Sequence, residues 1–326
     1  MASQSQQLKR AIPVSCRLAV AIDLTPIVKI YKDGRVERLR GTARVADGVD
    51  PKTGVESTDV VISPETGRYI RLYIPNPTTE STPQKKPLLV YFHGGTYLTS
   101  SAADPYFHNY LNSLAASANV VIVSVDYRIG PEEPLPAAFE DSWSALKWIA
   151  SSDSDKWLSP HADRGRLFMA GDGAGANLSH QMALKYGLEG GVGGEVELIG
   201  IVLVIPYFWG SARMSKQEEP LAAITDGLWR LALPTAKDMD DPIINPENEP
   251  NLGKLGCEKV LICLAEKDWF KARGLHYAEL LKKSGWGGDL QVHEIKGVPH
   301  NFYLDHPETQ QAAELMKIVS DFFHTT

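Results

Sequence analysis

Short apolar runs punctuate this chain, and their character changes partway along it. Before Pro75 they alternate with polar positions. Ile27-Val28-Lys29-Ile30-Tyr31 and Val36-Glu37-Arg38-Leu39 flank Lys32-Asp33-Gly34-Arg35, and Asp-Gly between two β-prone runs predicts a hairpin. Thr58 to Ile62 and Tyr69 to Ile74 are two more candidate strands, joined across Pro64-Glu65-Thr66-Gly67. Pro75 to Lys86, rich in Pro, Thr, Glu and Lys, reads as a surface loop.

Beyond that loop the runs become continuous: Pro87 to Phe92, Val120 to Val125, Leu167 to Ala170, Leu198 to Ile205 and Val260 to Leu264. Runs of this length suit strands buried on both faces of a parallel sheet. Helical stretches separate them at Tyr106 to Ser117, Ala137 to Ser151, Asn177 to Gly187 and Gly274 to Ser284. The alternation predicts an α/β fold with a mostly parallel central sheet, helices on both faces, and ligands at the carboxyl ends of the strands. Residues 1–326 read as one domain. Trp209 to Lys237 fits no strand of the series and is expected to form a helical lid over the site.

Hydrophobic residues make up 43% of the 326-residue chain and charged residues 22%, the balance of a globular protein with a substantial core. The net charge of −7 argues against nucleic acid or anionic membranes as partners. Cys16, Cys257 and Cys263 form no metal or disulfide pattern, which fits reduced thiols in the cytoplasm. Arg17 interrupts the apolar stretch Ala11 to Ile22, leaving pieces too short for a signal or a membrane span. That stretch is read as amphipathic and packed on the body. With no HExxH, Walker loop or GxGxxG, the sequence implies no metal and no cofactor. The expected partner is a small-molecule substrate, and the expected state is a monomer or homodimer.

The chemistry gathers at strand ends. Gly171-Asp172-Gly173-Ala174-Gly175 follows one strand and opens a helix, the setting of the nucleophile elbow G-x-S-x-G, but the central position is glycine. His93-Gly94-Gly95-Thr96 follows another strand and has the type of the HGGG oxyanion motif, with threonine for its third glycine. There the backbone acts, so His93 itself is structural. Asp268 follows the run Val260 to Leu264, and His300 follows a candidate strand, Leu290 to Ile295. The order elbow, Asp, His is that of an α/β-hydrolase triad, in which Asp orients the imidazole and His moves protons. Tyr97, Phe208, Trp209, Trp229, Trp269, Phe302 and Tyr303 lie on segments expected near the mouth, with Thr96 at the rim. About half of these aromatics should be core and the rest should line a site for a bulky, mostly apolar substrate.

These residues give the chain a resemblance to the plant carboxylesterase family of hormone-sensitive-lipase-like α/β hydrolases. It rests on Tyr31-Lys32-Asp33-Gly34-Arg35-Val36-Glu37-Arg38, His93-Gly94-Gly95, Val125-Asp126-Tyr127-Arg128, Pro134 to Ser142, Gly171-Asp172 with Ala174-Gly175-Ala176-Asn177, and Asp241-Pro242 with Asn245-Pro246. The resemblance implies an α/β-hydrolase fold and an oxyanion hole of the Gly94, Gly95 and Ala174 N–H groups. It also implies an Asp268–His300 acid–base pair, and a lid from residues 1–26 and 209–237. The departures are Gly173 for the serine, Thr96, and Ile129-Gly130 for Leu-Ala.

The family is known to include dehydratases, alkaloid cyclases and gibberellin receptors. A base with an anion hole but no nucleophile favours a lyase, cyclase or dehydratase of plant specialised metabolism, with His300 as base and position 173 vacant. The receptors lose the histidine that this chain keeps. The alternatives are an ordinary carboxylesterase whose serine was removed by engineering, and a small-molecule receptor on the same scaffold.

Overall fold

A computed structural model describes residues 19–75 and 84–324. The part of the expected lid and amphipathic stretch before residue 19 lies outside the described residues, as does Cys16. Three strands come first, β1 (Val20–Leu24), β2 (Val28–Tyr31) and β3 (Val36–Arg38), and form a small antiparallel sheet of their own. The β2–β3 connection is the expected hairpin, and Gly34 takes the left-handed backbone (φ 87°) that its turn needs.

The main sheet has eight strands: β4 (Glu56–Ser63), β5 (Arg68–Ile74), β6 (Lys86–Phe92), β7 (Val121–Val125), β8 (Ala162–Asp172), β9 (Leu198–Val204), β10 (Lys259–Ala265) and β11 (Asp289–Ile295). They lie in the order β11-β10-β9-β8-β6-β7-β5-β4. From β7 to β11 every pairing is parallel, and β4 and β5 add an antiparallel edge. The all-buried β7 and the nearly all-buried β6, β9 and β10 explain the continuous apolar runs, since both faces are covered.

The helices are α1 (Pro105–Ala118), α2 (Ala137–Ala150), the one-turn α3 (Asp155–Leu158), α4 (Ala174–Glu189), α5 (Ala222–Ala232), α6 (Lys271–Lys283), the one-turn α7 (Phe302–Asp305) and α8 (Gln310–Phe322). α4 packs on β8 and β9 with α2 beside it, while α1 packs with α8. Asp104 caps α1, accepting the Tyr106 N–H at 3.0 Å, and Pro105 follows at the first helical position. No helix among the described residues is long and apolar enough to cross a membrane.

Three elements differ from the sequence reading for local reasons. β8 begins five residues early, because Ala162 and Asp163 pair with Lys86 and Pro87 ahead of a register shift; the polar stretch Arg164-Gly165-Arg166 hides this. α4 starts at Ala174, immediately after the turn residue Gly173. β9 stops at Val204, since Ile205 turns into the left-handed region (φ 47°). β1 and α8 are additions that the apolar runs did not announce.

The segment after β9 contains α5 and is anchored by a buried ion pair. Arg273 of α6 donates through Nε and Nη2 to the two carboxylate oxygens of Glu218, each at 2.9 Å, with both side chains almost fully buried. The guanidinium lies 4.9 Å from the Trp209 ring centre. The Trp209 indole donates to Asp226 of α5 at 2.7 Å. Removing one member of a buried pair strands the other charge, at a cost of about 3–5 kcal/mol, whereas replacing both with apolar residues is often neutral. Glu218→Ala should therefore lower urea stability by that amount. Glu218→Met with Arg273→Met together should recover most of the loss.

Candidate active site

The strand β8 and the helix α4 meet at one residue. Gly173 has φ 50° and ψ −113°, a conformation that side-chain-bearing residues rarely adopt. It is fixed from three sides: its N–H donates to Val204 O at 3.0 Å, and its carbonyl accepts from Tyr207 N–H at 2.9 Å and Asn177 N–H at 3.1 Å. The glycines around it are there for different reasons. A Cβ on Gly175 would overlap the Phe92 carbonyl, and one on Gly171 would overlap the Gly175 backbone. A Cβ on Gly173 meets nothing within 4 Å. Residues 171 and 175 are thus glycine because the backbones pass at contact distance. Position 173 has open space in front of it and only its backbone angles favour glycine.

Beyond β6, Gly94 and Gly95 form the facing turn. His93 is fully buried, stacked on Tyr127 at 4.2 Å, with Nδ1 2.7 Å from Gly94 O. Burial pushes its pKa down, which suits a neutral structural ring. The Gly94 N–H donates to Asp172 Oδ1 at 2.9 Å, and Tyr91 Oη donates to the same oxygen at 2.9 Å. This corrects the expected oxyanion set, because the Gly94 donor is already used and Gly94 is not on the cavity wall. Gly95, Thr96 and Ala174 do line the cavity, and no hydrogen bond within the described chain occupies their N–H groups. The Thr96 hydroxyl turns back to Gly95 O at 2.7 Å. Thr96 N–H, not Gly94 N–H, is thus the unbonded donor beside Gly95 on the cavity wall.

Asp268 and His300 are brought together as expected. Asp268 is fully buried; its Oδ2 lies 2.7 Å from His300 Nδ1, and its Oδ1 accepts the Phe270 N–H at 2.8 Å. That geometry leaves His300 Nε2 without a hydrogen-bond partner among the described residues, and His300 lines the cavity. Trp269 stacks on the imidazole with ring centres 5.0 Å apart. Burial alone would lower the His300 pKa. The Asp268 charge and hydrogen bond outweigh it, with smaller help from Asp172 and Asp305, and the pKa rises above the ordinary histidine value. Asp172, one residue before Gly173, is also on the cavity wall, and burial pushes its pKa up to about 6.

The cavity holds about 570 Å³. Its floor is the Gly95–Thr96 turn, the Asp172–Ala174 elbow and His300. Thr25 to Ile27, the turn between β1 and β2, and Leu39 to Gly41, just after β3, line it together with Ile224, Thr225 and Leu228 of α5. Both segments expected to form the lid thus contribute to its walls, within the described residues.

Of the seven aromatics expected near the mouth, Trp269 lines the cavity. Tyr97, Phe208, Trp209, Trp229, Phe302 and Tyr303 do not: each is buried in the core. Tyr97 donates to Asn177 Oδ1 at 2.6 Å, Phe208 stacks on Tyr277, Trp229 meets Tyr207 edge-on and Tyr303 meets Tyr110 edge-on. The aromatic wall is made instead by Tyr106, Phe107, Tyr207 and Phe270 with Trp269. Tyr207 and Phe270 follow β9 and β10 by a few residues, so the strand-end rule that located Asp268 also points to them. Tyr106 and Phe107, in the first turn of α1, carried no such signal.

Residues 89–304 match a family model described as an alpha/beta hydrolase fold. A probable carboxylesterase 2 of Arabidopsis thaliana is 41% identical over 95% of this chain and 98% of its own length. A 2-hydroxyisoflavanone dehydratase of Glycyrrhiza echinata is 39% identical over 92% and 95%. Among solved structures, a hyperthermophilic esterase of Pyrobaculum calidifontis superposes with a TM-score of 0.67 at 26% identity, covering 82% of this chain and 84% of that one.

The contrast between the elbow glycines is directly testable. Gly175→Ala should destabilise the fold by ~3 kcal/mol or more in chemical denaturation, as expected of overpacking against rigid backbone. Gly173→Ser should cost less, ~1–3 kcal/mol from backbone strain alone.

Proposed function

The chain belongs to the plant carboxylesterase family of α/β hydrolases, and we propose that it is a non-hydrolytic member, a lyase, dehydratase or cyclase of plant specialised metabolism that uses His300 as its base. The observation that carries this reading is the joint presence of a hydrogen-bonded His300–Asp268 pair and a glycine at the nucleophile position.

Without a hydroxyl at 173 no acyl-enzyme forms. Losing the nucleophile of a triad costs on the order of a million-fold in turnover, and binding with oxyanion stabilisation retains roughly a thousand-fold over water. The remaining groups suit proton removal beside a carbonyl. His300 Nε2 takes the proton, the C–H pair becomes an enolate, and the charge on oxygen is met by the N–H groups of Gly95, Thr96 and Ala174. The enolate then expels a β-hydroxyl. The imidazolium proton goes to that oxygen, water departs, and a carbon–carbon double bond remains. Asp268 keeps Nδ1 protonated and steadies the cation throughout. The same removal of a leaving group produces the conjugated intermediates that cyclise.

The substrate we assign is bulky and mostly apolar, with a carbonyl and a β-leaving group. The wall of Trp269, Phe270, Tyr207 and Phe107 supports a planar ring system. The relative named for dehydrating a 2-hydroxyisoflavanone uses a substrate of that kind.

The base must be unprotonated to act, and its pKa is raised. Turnover should therefore climb with pH through a midpoint on the alkaline side of 6.5. Asp268→Asn removes the main upward influence, so the His300 midpoint followed by NMR should move down, and turnover should fall. His300→Ala should abolish product formation from plant-extract substrates followed by mass spectrometry. Full activity in that variant, or ligand binding with no product in the parent chain, contradicts the reading. Gly173→Ser is expected to bring p-nitrophenyl ester cleavage to a chain that otherwise has almost none. Strong cleavage by the unaltered chain would sink the non-hydrolytic assignment.

A further inference from the structure

Arg38 closes the Tyr31–Arg38 motif, and nothing in the reaction above uses it. It is the last residue of β3, in the small antiparallel sheet, yet its side chain leaves that sheet. Nε donates to Leu98 O at 2.7 Å, Nη2 to Gly130 O at 2.9 Å, and Nη1 to Glu132 Oε1 at 3.0 Å. The first two acceptors belong to the loops that follow β6 and β7. The Leu98 and Thr99 N–H groups both return to Gly95 O, at 2.9 and 3.1 Å, and the Gly130 N–H donates to Tyr97 O at 2.8 Å. One guanidinium therefore grips the turn carrying Gly95 and Thr96 at two points, directly at Leu98 and through Gly130 at Tyr97.

That turn needs an external hold. Thr96, Tyr97 and Ser100 have φ of 57°, 63° and 74°, angles that residues with a Cβ avoid unless their surroundings over-determine them. Among the described residues its other polar ties to the body are the Tyr97 hydroxyl on Asn177 and the Thr99 hydroxyl on Arg40 O, and the Tyr97 ring packs against Tyr127 and Phe139. The second of these again comes from the segment just after β3. A planar fork with several fixed donors satisfies two carbonyls and a carboxylate together, and a single ammonium satisfies only part of that set.

We propose that Arg38 is a positioning residue for the anion-stabilising turn, holding the Gly95 and Thr96 N–H groups in place and joining the small sheet that covers the cavity to the groups that act in it. The proposal rests on the function above only in taking that turn as the place where negative charge develops. Hydrogen exchange of the unmodified chain against Arg38→Met, Arg38→Lys and Glu132→Gln tests the hold. Arg38→Met should speed exchange over residues 95–100 about tenfold or more while β6 and β7 exchange at the parental rate. Glu132→Gln, which leaves both carbonyl bonds intact, should match the parent. Unchanged exchange over 95–100, or acceleration spread equally through β6, overturns the clamp. In a Gly173→Ser background, Arg38→Met should lower kcat for p-nitrophenyl acetate about tenfold with KM little changed, and Arg38→Lys should recover part of it. A loss carried by KM, or no recovery by lysine, overturns the positioning role. The exchange comparison needs no ester cleavage, so a serine variant that hydrolyses nothing counts against the proposed function and leaves the clamp to be decided by exchange.

Discussion

The Asp172 carboxylate is the joint on which the site depends. It is buried at the end of β8 and accepts two hydrogen bonds on one oxygen, from the Gly94 N–H beyond β6 and from Tyr91 within it. The Gly95–Thr96 turn and the Gly173 elbow follow those two strands, and this carboxylate ties one to the other. The cost of burying it is visible in a pKa raised to about 6. A folded-state pKa above the unfolded one favours the fold at low pH, and that contribution is lost as pH rises from about 4 to about 6. At neutral pH the joint is thus charged, and its charge also helps keep the facing imidazole basic.

Strain collects around the same floor. Thr96, Tyr97, Ser100, Ile205, Asn301 and Gly173 all have positive φ, and they stand at the ends of β6, β9 and β8 or directly beside His300. Each such non-glycine residue costs on the order of 1–3 kcal/mol, so the sheet and helices must supply that much elsewhere. The deeply buried strands β6, β7, β9 and β10 are rigid enough to do so, with each fully buried aliphatic side chain worth about 1.5–3 kcal/mol. The core holds the strand ends fixed, and the segments after them carry the Gly95–Thr96 turn, Gly173, Asp268 and His300. The cover is attached through apolar side chains, Leu24, Val28, Leu228 and Trp229, buried in the main core, and through a few polar ties: Arg38 on one side, and Glu218–Arg273 and Trp209–Asp226 on the other.

Much of this was legible in the residues themselves. A parallel sheet buries both faces, so its strands appeared as unbroken apolar runs, and chemistry at strand ends made Asp268, His300 and the elbow findable from order alone. The aromatic wall was harder to read. Tyr207 and Phe208 are both almost fully buried, and only the path of the chain after the turn at Ile205 puts one of them on the cavity wall. Gly94 was misassigned for a different reason. Its residue type was right for an open N–H, and only the three-dimensional approach of Asp172 reveals that the donor is occupied. The early start of β8 was masked by Arg164-Gly165-Arg166, whose polarity outweighs its pairing.

The open space in front of Gly173 bears on how such a chain arises. Serine and glycine codons can differ by one nucleotide, and no neighbouring atom would have to move for the exchange in either direction. The backbone angles make the two directions unequal, because glycine relaxes a conformation that serine must endure. A serine at 173 would therefore carry backbone strain that glycine does not. Position 173 is thus a point where one side chain can be exchanged on an otherwise fixed scaffold at a cost set by a single pair of backbone angles.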